Sequence, residues 1–146
     1  RKNRLYINLE HYIKEQGLMV DIKQINRVNA FSAEEMIRNI ILAPGEAINV
    51  LICLNLEDTL CAYQAVIDYN KVGKVKIIGY DQSETILDGI SKGIIEASLF
   101  VNTQEMGSLG MQALNQYDKE HKACTYYNID VEMIRKDNVQ QYMKSN

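Results

Sequence analysis

The chain has 146 residues, 47% of them hydrophobic and 24% charged, and carries a net charge of −3. That composition belongs to one globular domain, or little more, and excludes a disordered chain. The acidic balance excludes a basic nucleic-acid footprint, and no run reaches the ~18 apolar residues of a membrane span.

In chain order, the hydrophobic pattern switches between a helical and a strand period. Leu5, Leu9, Tyr12 and Ile13 share one helical face, and Gly17 follows as a stop. Residues 18–25, LMVDIKQI, read as a strand. Ser32 opens a capping box with Glu35, and Ala33, Met36, Ile37, Ile40 and Ile41 form an amphipathic stripe behind it. Pro44-Gly45 ends that helix. Residues 49–54, NVLICL, are apolar on both faces, which suits a strand buried between helices. A helix over 58–69 follows, then a strand over 74–80, KVKIIGY. Ser83 caps a helix that Gly93 closes. Residues 95–101, IEASLFV, read as a strand and residues 105–118 as a helix. Residues 124–134 are extended, and a short helix and a tail finish the chain.

This alternation predicts an α/β fold: a doubly wound parallel sheet with helices on both faces. Such sheets usually start on a strand. A chain that opens on a helix leads us to expect a strand upstream.

Cys53, Cys61 and Cys124 are odd in number and lack a C-x-x-C pair. Neither a disulfide framework nor a structural zinc site is expected, and all three read as small buried hydrophobes. No phosphate-binding glycine loop, dinucleotide fingerprint or nucleophile elbow is present. Gly107-Ser108-Leu109-Gly110 lies inside a helical pattern, so it reads as close helix packing. His11 and His121 have no ligand or carboxylate at useful spacing and read as solvated. No catalytic residue, metal site or cofactor is therefore assigned.

In an open parallel sheet, ligands bind outside the carboxyl ends of the strands. Polar residues stand at those ends. Asn55 follows the 49–54 strand, with Glu57 and Asp58 just beyond; Asp81 follows the 74–80 strand; Asn102 follows the 95–101 strand. Each alone could simply start a turn or cap a helix. Three along one edge point to a binding site.

Residues 49–107 carry a further pattern. NVLICLNLEDTLCAYQAV is followed by KVKIIGYDQSETILDGISKGIIEASLFVNTQEMG, in which G-Y-D at 79–81 and K-G-x-x-x-A-S at 92–98 stand out. This run resembles the type I periplasmic-binding-protein superfamily, especially its sugar-binding members. Their pattern is a strand, Asn-Asp-x-x-Ala-x-Gly-Ala, a helix, a strand ending Gly-Phe-Asp, a helix ending in Gly, and a strand ending Gln or Asn.

The resemblance implies two α/β lobes clamping a small ligand. Residues 1–103 would be the second lobe without its first strand. Residues 104–146 would be a crossover helix, strand and tail packing partly on the first lobe. It places Asn55 on the cleft asparagine and Asp81 on the cleft aspartate, both suited to adjacent sugar hydroxyls. Arg4 is the candidate for a ligand-contacting arginine, with Arg1 the other choice. Counting from Asp81, the Gln/Asn position falls on Val101, with Asn102 beside it. Cys61 replaces the usual glycine and Leu56 the usual aspartate.

The implied function is capture of a small solute, a sugar, for an ABC importer or a membrane sensor, outside the cytoplasm and without chemistry. The alternative is the effector lobe of a lac-repressor-like regulator, in the cytoplasm. Those usually carry P-x-L-T-T where this chain has Ile94-Ile95-Glu96-Ala97-Ser98. A third reading is a flavodoxin-like enzyme. No direct nucleic-acid contact is expected of this segment in any case. An exposed apolar surface over 105–130 would lead two copies to pair.

Overall fold

The structure, a computed structural model, describes residues 4–25, 30–45, 47–121 and 129–144. Arg1, Cys124 and most of the 122–130 stretch lie outside the described residues. The elements in order are α1 (Arg4–Glu15), α2 (Ala30–Leu42), β1 (Val50–Ile52), α3 (Leu56–Asp68), β2 (Lys76–Tyr80), α4 (Glu84–Ser91), β3 (Ile95–Val101), α5 (Thr103–Glu120), β4 (Val131–Arg135) and α6 (Val139–Met143).

The strands form one four-stranded sheet in the order β1-β2-β3-β4. β1, β2 and β3 are parallel neighbours, and β4 adds antiparallel to β3. The three apolar runs are thus adjacent parallel strands, and the helix between each pair serves as the crossover. Since β1, β2 and β3 run the same way, their carboxyl ends meet at one edge.

Three sequence expectations change. The 49–54 strand is not buried between helices: β1 is an edge strand among the described residues, and Val50 and Ile52 are exposed. Residues 18–25 are not a strand. Their alternation survives in burial, with Val20, Ile22 and Ile25 half-buried and Leu18 and Met19 exposed. No described strand hydrogen-bonds to them, and alternation without a neighbouring ladder does not make a strand. Ser32 does not start its helix either. α2 begins at Ala30, so Ser32 lies within the first turn.

The core fills one side of the sheet. Ile77 and Ile95, register partners, are buried with Ile134 of β4 beneath Ala62 and Val66 of α3 and Ile86, Leu87 and Ile90 of α4. Ile37 and Ile41 of α2 and Val139 of α6 extend the same cluster. Phe100 meets the Tyr142 ring edge-on at 5.6 Å, and the Tyr142 hydroxyl donates to Glu132 at 2.7 Å. That bond, ahead of burial, pushes the tyrosine's pKa up. The alternate face carries Val50, Ile52, Val131 and Met133, all exposed, with Ile78, Tyr80, Leu99 and Val101 half-buried between them.

α4 ends in a glycine stop. Gly93 has φ +74°, its N–H bonds Ile90 O at 3.0 Å, and Ile94 N–H reaches back to Gly89 O at 2.9 Å. This is the Schellman closure that Gly93 suggests in the sequence. None of the residues of α5 is buried, and Met106, Met111, Leu114 and Tyr117 are exposed.

Gly79, near the end of β2, has a packing reason. A Cβ there would overlap Thr59 Cγ2 of α3, yet would stand 3.4 Å from Thr59 Cβ. Gly79→Ala is therefore expected to lower stability by about 1–3 kcal/mol through overpacking. In a Thr59→Ala background most of that penalty should vanish, because only the ordinary contact remains. Urea unfolding of the single and double variants checks this.

Candidate ligand edge

The carboxyl edge is built by three strand ends. Past β1 the chain stays in register for one more bond, Cys53 N–H to Ile78 O at 2.8 Å, and then turns into α3. Asn55 is the N-cap of α3. Its Oδ1 accepts the Asp58 N–H at 2.9 Å, and its Nδ2 donates to the Asp58 carboxylate. Glu57 and Asp58 put negative charge in the first turn, where the helix N-terminus favours it. The cap holds the Asn55 side chain in place at the edge.

Asp81 comes straight after β2. Its N–H bonds Leu99 O at 2.8 Å, and its carbonyl accepts the Ser98 hydroxyl at 2.6 Å. Its backbone has φ +96°, a left-handed conformation that favours glycine and strains an aspartate. Two bonds from β3 hold this conformation. The half-exposed carboxylate accepts no hydrogen bond among the described residues.

Asn102, straight after β3, caps α5 by accepting the Glu105 N–H at 3.1 Å. Val101 is the last residue of β3, half-buried and in register with Val131 of β4. The topology thus brings Asn55, Asp81, Val101 and Asn102 to the same edge. Arg4 is exposed at the start of α1, which makes no extensive contact with the strands.

Cys53 is buried just under this edge, and its thiol is pushed up to about 12, first by burial, then by Asp58 and by Cys61. It is a buried, protonated thiol, in line with the small buried hydrophobe expected at this position. Cys61 is half-buried. Among the described residues no cluster of three or more His, Cys, Asp or Glu side chains could hold a metal.

Two functional candidates escape sequence reasoning. Thr59 and Ser98 are fully buried polar side chains, and both bond to the backbone around Asp81. Thr59 stands where the family pattern has alanine, and that departure is the signal that could have exposed it. Ser98 sits in the matched K-G-x-x-x-A-S stretch, but nothing in its identity shows which carbonyl it bonds.

No family model and no curated protein matches the chain. Solved structures do. A structure titled as the XylFII–LytSN complex is 30% identical, with 87% of this chain and 45% of that one covered at a TM-score of 0.71. An ABC transporter solute-binding protein from Bacillus halodurans with bound myo-inositol is 18% identical, with 97% and 49% covered at 0.78. GanP, a glucose-galactose binding protein from Geobacillus stearothermophilus, is 19% identical, with 88% and 46% covered at 0.76. The chain spans about half the length of these structures.

The two edge residues should respond oppositely to substitution. Asn55→Ala removes a cap and is expected to cost about 1 kcal/mol. Asp81→Gly relieves the positive-φ strain and should gain roughly 0.5–1 kcal/mol, after the entropy glycine loses on folding. Thermal or urea unfolding reads both signs.

Proposed function

We infer the function from the fold superfamily to which the chain belongs, the type I periplasmic-binding proteins. The chain forms the ligand-contacting edge of one lobe of a small-solute binding protein, and the solute is a sugar. One observation carries this reading. A carboxylate with no partner among the described residues, Asp81, is held in a strained conformation beside Asn55 at the strand-end edge. Strain of that kind persists where the surroundings over-determine it, and such sites are often binding sites.

The chemistry fits hydroxyls. Glu57, Asp58 and Asp81 make the edge acidic, so it attracts hydrogen-bond donors and repels anions. A carboxylate can accept from two neighbouring hydroxyls, and each such charged bond contributes about 1.5–3 kcal/mol. Asn102, Val101 and Arg4 complete the proposed contact set. Arg4 would reach the ligand only if α1 stands near the edge in the intact protein.

Binding occurs in a cleft against a companion lobe, without catalysis, and outside the cytoplasm. The exposed stripe of α5 rests on that companion lobe. The ligand state is then passed to a membrane transporter or sensor; the XylFII structures, solved with LytSN, are a precedent for a partner protein. The effector lobe of a lac-repressor-like regulator is not favoured, since GanP and the Bacillus halodurans protein are solute-binding proteins.

In the intact two-lobed protein, Asp81→Ala should weaken sugar binding by about 2–4 kcal/mol, because truncation also strands buried ligand hydroxyls. Unchanged affinity by calorimetry would remove Asp81 from the site. By itself, this chain should self-associate to cover Met106, Leu114 and Tyr117. Sedimentation velocity should show a dimer, and a compact monomer would contradict that.

A further inference from the structure

β1 ends early, and this leaves a backbone donor to be satisfied. Lys76 N–H bonds Asn49 O at 2.8 Å, and Ile78 O accepts Cys53 N–H at 2.8 Å. Backbone groups on a parallel strand face the same neighbour at every second residue, so Tyr80 N–H also points toward β1. There the chain has already turned away into α3. The Thr59 hydroxyl takes the place of the missing strand: Oγ1 accepts Tyr80 N–H at 3.0 Å and donates to Asn55 O at 2.7 Å. One residue on, Ser98 Oγ donates to Asp81 O at 2.6 Å. Both hydroxyls are 0% exposed.

From these bonds we propose that Thr59 and Ser98 are positioning residues that set the Asp81 turn before any ligand arrives, Thr59 tying it to the Asn55 cap and Ser98 to β3. Neither side chain can meet solvent, so neither touches ligand. Thr59 links the two ligand-edge residues through a single atom: Asn55 by its carbonyl, Asp81 by the amide that precedes it. Ser98 closes the other side by fixing the Asp81 carbonyl. A binding group already in place loses less freedom on binding, so affinity rises. Gly79 lets Thr59 come this close, since any side chain there would overlap it.

The proposal rests on Asp81 being a ligand contact, and the test separates the two claims. In the unliganded chain, NMR reads the Asp81 backbone through its amide–Hα coupling, and hydrogen exchange reads the Tyr80 amide. Thr59→Val and Ser98→Ala should move the Asp81 coupling toward an averaged value, and Thr59→Val should speed Tyr80 exchange about tenfold. Thr59→Ser and Ser98→Thr keep the hydroxyl and should restore the wild-type readings. If Thr59→Val fails to fold, Ser98→Ala and the Thr59→Ser control still decide the matter. In the intact protein the same variants should weaken monosaccharide binding about tenfold, with the hydroxyl-retaining pair near wild type. An unchanged Asp81 coupling in both Thr59→Val and Ser98→Ala overturns the proposal. A changed coupling with unchanged affinity upholds the positioning and overturns the ligand role of Asp81.

Discussion

A parallel strand that stops before its neighbour leaves a buried amide without a partner. A buried donor with no acceptor costs about 1–3 kcal/mol, so the fold must answer it. Here the amide is Tyr80 N–H and the answer is a side chain of the following helix, Thr59. That choice has consequences. It draws the first turns of α3 down onto the end of β2, requires glycine at 79 and places the Asn55 cap next to the Asp81 turn. The proposed ligand edge is therefore a by-product of how β1 ends.

The sheet divides into two unlike faces. On one, α2, α3, α4 and α6 share a single apolar cluster with Ile77, Ile95 and Ile134. On the other, a row of apolar side chains from all four strands stays half-buried or exposed. α5 carries a second exposed apolar stripe. Monomeric proteins rarely leave such surfaces uncovered. Both features accord with a chain that spans about half the length of the structures it matches.

Much of this was legible in the sequence, for identifiable reasons. The runs NVLICL, KVKIIGY and IEASLFV read as strands because each gives apolar side chains to the core face of the sheet, and Asn55, Ser83 and Asn102 sit as caps where a short polar residue precedes a helix. Residues 18–25 misled because strand character needs a ladder partner, which alternation cannot supply. Ser32 misled because a capping signal inside a good helix former does not stop the helix from starting earlier. The candidate site was legible only as positions: Asn55 and Asp81 could be placed at strand ends. The positive φ at Asp81 and the hydroxyls of Thr59 and Ser98 depend on register between elements, and composition carries no trace of register.

The central claim is that the ligand meets the carboxyl edge of β1, β2 and β3. The most direct test is a nitrogen–proton NMR titration of the chain with monosaccharides and myo-inositol, carried to millimolar concentrations. The account predicts saturable shifts at the amides of Asn55–Asp58, Asp81 and Asn102, and quiet amides at the opposite pole, around Lys71 and Lys74. Shifts centred on that opposite pole, or no response at the three strand ends to any of these polyols, would contradict it.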